Sequence, residues 1–449
     1  MTQPARLPIV CLLLLGIIGC RKGSGEEAAG ASPAERKAAA GDAASRSAPD
    51  RADATTAPDA PEAPDAPAAQ APPWPTREPC RLAARKVWHE EVRRMEPPPT
   101  PPSPVEGLPA ALALALDEGW NACAVTPDHG ATCWGVGIRG PLADDPEARS
   151  RPGPIAGLAD VALVLPAQTP HACTLGLDGS VSCFGAPNNR KLGSAANETW
   201  WSEAPARVVG LPKTRALAVG FGFSCALAED GTVRCWGRND SGQLGDGTRE
   251  PRRTPAPVPG LTGVAAIAAG REQACAVLED RTVRCWGDML ATFCREEVPV
   301  PVPVPGLAGV AQLSVGWDHA CAVLEDGTVR CWGENDGGQL GDGSWTHRFT
   351  PVAVAGLTDA AAVEAGDGVT CAVRRDGTVV CWGKNQCGQA DGGASGRPYL
   401  ETPTPVPGVT GVAQLAVGGM QTCARRTDDG VLCWGATTPP QFAACLAAW

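Results

Sequence analysis

Residues 220–247 read GFGFSCALAEDGTVRCWGRNDSGQLGDG, and residues 316–343 read GWDHACAVLEDGTVRCWGENDGGQLGDG. Likeness of that length between two separated stretches is the mark of an internal repeat. Working outward, two cysteines ten residues apart recur seven times. They are Cys123 with Cys133, Cys173 with Cys183, Cys225 with Cys235, Cys275 with Cys285, Cys321 with Cys331, Cys371 with Cys381, and Cys423 with Cys433. Successive first cysteines lie 50, 52, 50, 46, 50 and 52 residues apart, a period that belongs to propellers and arrays.

The spacing predicts a local structure. Antiparallel pairing centred on Asp230 sets Ala226 against Arg234 and Leu227 against Val233, with Glu229-Asp230-Gly231 as a three-residue turn. The last turn position wants the left-handed conformation that glycine tolerates. Cys225 and Cys235 then stand directly opposite, at a separation of α-carbons of about 4.5 Å that a disulfide accepts. Glycine holds that turn position as Gly179, Gly231, Gly327 and Gly377; repeat 4 has Arg281, and repeats 1 and 7 place glycine one residue later, at Gly130 and Gly430. The last two predict altered turns on either side of a ring closure. Zinc favours close ligand pairs, so a ten-residue spacing with only 5 histidines in the chain predicts staples and no metal site.

Each repeat adds a P-V-x-x-G-L lead-in and an alternating segment such as GVAAIAAG (263–270), followed by the hairpin and a Gly/Asp/Pro-rich loop. That makes about four short strands per repeat, nearly continuously apolar, as suits blades buried on both faces. A linear stack would need polar caps, whereas a ring removes the exposed ends. The expected fold is an all-β, seven-bladed β-propeller over 105–435, with 436–449 as a tail. Six second cysteines precede Trp-Gly, at Trp134, Trp236, Trp286, Trp332, Trp382 and Trp434, with Phe184 in the seventh place, and a large aromatic at one register reads as filling between blades.

Before the ring the chain changes character. Leu7–Ile18 is apolar but too short to span a bilayer, and it runs into Ile17-Ile18-Gly19-Cys20. This resembles a bacterial lipoprotein signal, which implies a signal peptide over 1–19 and lipidation of Cys20. Export fits 20 cysteines, which a reducing cytosol would keep from pairing. Arg21 after the cysteine, where aspartate would imply inner-membrane retention, leads us to expect the outer membrane. Residues 20–79 are rich in Ala, Pro, Asp and Glu and are expected to be a disordered tether. Residues 80–104 are expected to hold a short helix and a Pro-rich connector. A net charge of −11 argues against nucleic acid as a partner.

The unit G-x-x-x-x-C-A-L-x-x-D-G-T-V-x-C-W-G-x-N-x-x-G-Q-L-G resembles the regulator of chromosome condensation repeat, whose members form seven-bladed propellers. Repeat 2 lacks the first glycine and has NNRKLG (188–193) for the loop, repeat 4 loses N-x-x-G-Q-L-G altogether, and repeat 7 ends without it. The resemblance implies a fold rather than a function. Nucleotide exchange on Ran, the role of the family's eponymous nuclear member, does not fit an exported lipoprotein. The plant UV-B receptor member relies on GWRH-like segments, and here Gly316-Trp317-Asp318-His319 carries aspartate in place of the arginine. Secreted bacterial β-lactamase inhibitors of this fold plug a partner with one face, and that precedent suits the compartment.

Residues just ahead of each first cysteine differ sharply within a regular frame, so they are the candidates for recognition. Trp120, His171, Phe221, Phe223, Arg271, Trp317 and His319 are the expected anchors, since aromatics and arginine dominate binding hot spots. Trp200, Trp201 and Trp345 in longer loops have no repeat counterpart, and are either an exposed patch or cover for a blade edge. NDSGQLGDG (239–247) lacks the closing glutamate of a calcium loop and reads as turn chemistry. No catalytic constellation stands out. The expectation is a monomeric, non-catalytic, cofactor-free module that binds another protein and touches the membrane only through its lipid. The alternatives are a surface adhesin or carbohydrate-binding propeller and, behind it, a propeller hydrolase or lyase. Cys80 and Cys445 flank the ring and are expected to pair; Cys294 and Cys387 are not expected to pair with each other.

Overall fold

The computed structural model describes residue 74 and residues 98–108, 110–117, 121–135, 151–167, 171–185, 191–193, 202–288 and 297–447. The signal peptide, Cys20, Cys80, Trp120, Trp200, Trp201 and Cys294 lie outside these residues. So does nearly all of the tether, together with the helix expected after residue 80.

Seven four-stranded antiparallel sheets form the ring. Blade 3 is typical: Thr214–Val219 is innermost, followed by Phe223–Ala228, Val233–Gly237 and Arg252–Pro257. Innermost strands of successive blades touch, and that of blade 7 (Val412–Val417) meets that of blade 1 (Ala113–Leu116), which closes the circle. Middle strands are buried almost throughout, and FSCALA of blade 3 entirely so, because neighbouring blades cover both faces. Outer strands carry the prolines, as in RRTPAP of blade 3, where a missing N–H costs no ladder bond and discourages pairing with other chains.

The hairpin register is as the spacing predicts: Cys225 faces Cys235, Ala226 faces Arg234 and Leu227 faces Val233. All seven ten-residue pairs are disulfides, with α-carbons 4.0–4.1 Å apart. Cys123 is bonded to Cys133 in blade 1, Cys173 to Cys183 in blade 2, Cys225 to Cys235 in blade 3 and Cys275 to Cys285 in blade 4. Cys321 is bonded to Cys331 in blade 5, Cys371 to Cys381 in blade 6 and Cys423 to Cys433 in blade 7. The turn expectation for repeats 1 and 7 needs correction. The left-handed residue does not move with the glycine; His129 (φ 60°) and Asp429 (φ 65°) adopt it, as does Arg281 (φ 63°) in repeat 4. Register is fixed by the two flanking strands and the disulfide, so the local turn preference yields.

Two boundaries also shift. Thr100–Pro104, expected as connector, is the outer strand of blade 7, pairing with Val431–Gly435. The ring is thus closed by the N-terminal side completing the last blade. Repeat 7 supplies three strands of its own, and the Pro-rich TPPSP suits an edge position. Trp74, expected within the tether, is 7% exposed and packs into the core.

The expected Cys80–Cys445 bond is not formed, since Cys445 pairs with Cys387, their α-carbons 5.6 Å apart. Cys445 sits on the C-terminal helix Pro439–Ala447, which lies beside the blade 6 loop that carries Cys387. Gln441 of this helix accepts hydrogen bonds from the Thr437 and Thr438 amides and the Thr100 hydroxyl, and donates to the Pro98 carbonyl. The tail therefore latches the closing strand.

Candidate functional site

A repeated loop geometry sets the framework of the face where the pre-cysteine turns emerge. Asn239 is its hub, its amide donating to the Thr248 and Glu250 carbonyls while its side-chain oxygen accepts from the Leu244 amide. Asn335 and Asn385 repeat this arrangement. Asp246 is held by the Thr248 amide and hydroxyl and by Arg252 2.6 Å away, so its carboxylate serves the turn, as expected of that stretch.

Inner strands converge under these loops. A Cβ built on Gly220 would stand 2.4 Å from the Gly270 carbonyl oxygen, one on Gly270 2.0 Å from that of Gly316, and one on Gly316 2.4 Å from that of Gly366. Only glycine permits this approach. Below the constriction runs a channel of about 930 Å³, whose lining includes Leu116, Leu163, Leu165 and Ile267 on one side and Gln312, Glu364 and Gln414 on the other.

The pre-cysteine residues divide by position. Those four before the cysteine (Phe221, Arg271, Trp317 and Asp367) are half-buried, and Phe221 lines the channel. Those two before it (Asn121, His171, Phe223, Gln273, His319, Val369 and Gln421) are buried. His171, Phe223 and His319 are therefore corrected from partner anchors to packing residues: at that position the side chain lies on the cysteine's side of the strand and enters the joint between blades. His319 shows what this costs. Its Nε2–H donates to the Thr370 hydroxyl at 2.8 Å, because that hydroxyl itself donates to the Gln339 carbonyl. Burial, with the Lys384 charge adding to it, pushes the imidazole pKa down to about 3, so the ring stays neutral.

On the surface the outcome is a pair of rings flanked by two arginines. Arg238 lies 5.7 Å from the Phe221 centroid, Phe221 is 6.2 Å from Trp317, and Arg271 stands 4.7 Å over Trp317. Arg238 is held by Asp240 at 2.6 Å and Glu272 at 2.8 Å, while Arg271 has only a loose contact with Asp318 at 3.9 Å. Cation–π contact holds the rings in place, with Arg238 tied at the same time to two carboxylates of this chain. Beside it, Lys384 bonds Asp367 at 3.1 Å; burial opposes its charge, yet Asp367, Asp336 and Glu334 outweigh that and raise its pKa. Burial pushes the Glu334 carboxyl up, and Asp336 and Asp318 push it further. Trp345 packs edge-on against Tyr399 of the next blade, centroids 5.5 Å apart, which makes it cover for a blade edge.

Sequence reading missed Arg238. Its signal was present: the residue after Trp-Gly is Arg238, Asp288, Glu334 and Lys384 in blades 3 to 6, charged in each and never the same.

The models of the regulator of chromosome condensation (RCC1) repeat match residues 215–243, 310–339 and 360–389, and in a second form 230–277 and 326–373. The chain carries RCC1 repeats. Among curated proteins it is 30% identical over 143 residues to the human and mouse E3 ubiquitin-protein ligase HERC2, a match covering 30% of this chain and 3% of the ligase. Among solved structures, human WBSCR16 matches with a TM-score of 0.62 at 20% identity, covering 75% of this chain and 89% of that one. Yeast RCC1 (Prp20) bound to Kap60 matches with a TM-score of 0.58 at 20% identity, covering 72% and 80%. These likenesses establish the RCC1 propeller fold.

Proposed function

We propose that this RCC1-repeat propeller is a non-catalytic protein-binding module displayed on the bacterial cell envelope, anchored by a lipid on Cys20 in the outer membrane. It holds its partner on the loop-bearing face, around Phe221, Arg271 and Trp317. One observation carries the reading. Framework positions repeat from blade to blade, yet the turns of blades 3, 4 and 5 present a phenylalanine, an arginine and a tryptophan, all half-buried, with Trp317 in contact with both of the others. A preorganised aromatic–arginine cluster costs little ordering entropy on binding and is the composition of a hot spot. Yeast RCC1, of the same fold, has been solved with a protein, Kap60, bound to it. Disulfides in every blade suit an oxidising compartment.

The test is chemical crosslinking and pull-down from the native envelope, comparing the wild type with a Trp317→Ala/Phe221→Ala double variant. A discrete protein captured by the wild type and lost by the variant is expected. Equal capture by both would move the site off this face. No protein captured by either would overturn the protein-binding reading in favour of a glycan ligand.

A further inference from the structure

Every joint that carries the repeat's loop is sealed in one way. The indole N–H of Trp236 donates to the Lys191 carbonyl at 3.0 Å, that of Trp286 to Gln243 at 2.9 Å, that of Trp382 to Gln339 at 2.8 Å and that of Trp434 to Gln389 at 3.0 Å. In each case the acceptor belongs to the preceding blade's loop, and the next loop residue (Leu192, Leu244, Leu340 or Ala390) is buried in the same cluster as the tryptophan. The joint between blades 4 and 5 departs from this. Repeat 4 lacks N-x-x-G-Q-L-G, so the joint between blades 4 and 5 has neither the acceptor carbonyl nor the leucine from that motif. Trp332 is nevertheless 2% exposed there, and its N–H has no partner among the described residues.

The cluster around Trp332 holds Val298, Val302, Val304, Leu307 and, from far upstream, Trp74. The Trp74 N–H donates at 3.0 Å to the carbonyl of Phe349, on the outer strand of blade 5. We propose that the joint between blades 4 and 5 is a docking slot for a tryptophan-bearing segment, filled in cis by Trp74 in place of the leucine that repeat 4 lacks. An indole supplies more apolar area than leucine and brings a donor, for which the Phe349 carbonyl is the acceptor. Prolines at positions 72, 73 and 75 limit the conformations lost on docking. The chain is then fastened to the ring at two places, Trp74 at blades 4 and 5 and Thr100–Pro104 in blade 7. The intervening 25 residues can reach about 80 Å when extended, more than enough to join them.

The experiment uses the full chain, wild type and Trp74→Ala, with a fluorescent peptide of residues 69–79. Anisotropy titration should give saturable 1:1 binding to Trp74→Ala and at least tenfold weaker binding to the wild type, whose slot is filled. A peptide with alanine at the tryptophan should bind neither. Amide exchange of Arg348–Ala353 and Glu297–Pro303 should be at least tenfold faster in Trp74→Ala and slowed again by the peptide. Equal peptide affinity for both proteins would overturn occupancy in cis. Unchanged exchange in Trp74→Ala would overturn the slot itself. Should Trp74→Ala fail to fold, Trp74→Phe keeps a ring and loses the donor; exchange at Arg348–Ala353 faster than wild type supports the proposal, and unchanged exchange overturns it.

Discussion

The joint between blades 3 and 4 and the joint between blades 4 and 5 contain the same tryptophan at the same register, yet they are built differently. At the first, Trp286 lies against Leu244 with its N–H on the Gln243 carbonyl, and a Cβ on Gly245 would stand 2.8 Å from the indole. At the second, the preceding repeat lacks that loop motif, and Trp332 shares its cluster with Trp74. A repeat residue thus has a fixed conformation but not fixed partners, because half of its surroundings comes from the preceding repeat. A deviation in repeat 4 is felt in blade 5.

This difference can be broken most forcefully at the regular joint. Trp286→Ala should cost about 3–5 kcal/mol in denaturant unfolding, the usual penalty for emptying a core tryptophan site. Replacing Cys275 and Cys285 together by serine should cost about 2–3 kcal/mol, judged by the denaturation midpoint, with the propeller still formed. The sharpest comparison uses a gentler change. Trp286→Phe leaves the Gln243 carbonyl without its donor and should cost about 1–3 kcal/mol beyond the loss of volume. Trp332→Phe removes a donor that has no acceptor among the described residues and should cost only the volume. Equal losses in the two variants would refute the distinction.

Inner strands offer a parallel contrast. Gln312 bridges to the amide and carbonyl of Val363 in blade 6, and Gln414 makes the same pair of bonds to Leu114 in blade 1. Only the former joint adds a carboxyl, Glu364, which accepts from Ser314 at 3.0 Å and whose pKa burial raises to about 7. A carboxyl whose folded pKa exceeds its unfolded value favours folding in its protonated form. Stability therefore falls as pH rises from about 4.5 to about 7, and levels off above. Glu364→Gln should abolish that slope and exceed the wild type by about 1–2 kcal/mol at pH 8, a figure reduced because the channel wall is partly solvated. Smallest of all, Trp317→Ala should change stability by under about 1 kcal/mol, since the ring is half-exposed.

Much of this was legible from one repeat. A ten-residue spacing of the cysteines, with the turn residues between them, dictated the hairpin register to the residue pair, and periodicity dictated the ring. The binding face was legible only in part. Variability singled out Phe221, Arg271 and Trp317, which reach the surface, but it also admitted Phe223, His171 and His319, which are buried, because a sequence that varies between blades can be varying to fit a joint.

What the sequence determined by itself was whatever depends on near neighbours: strand alternation, the stapled hairpins and the aromatic after each second cysteine. Tertiary structure decided what depends on contacts across hundreds of residues. It placed Thr100–Pro104 in the last blade, gave Cys445 to Cys387 and brought Trp74 into the core cluster of Trp332. No local preference encodes such pairings. Each segment goes where a finished ring leaves an unpaired edge, a facing thiol or an unfilled volume, and those vacancies exist only once the blades have closed.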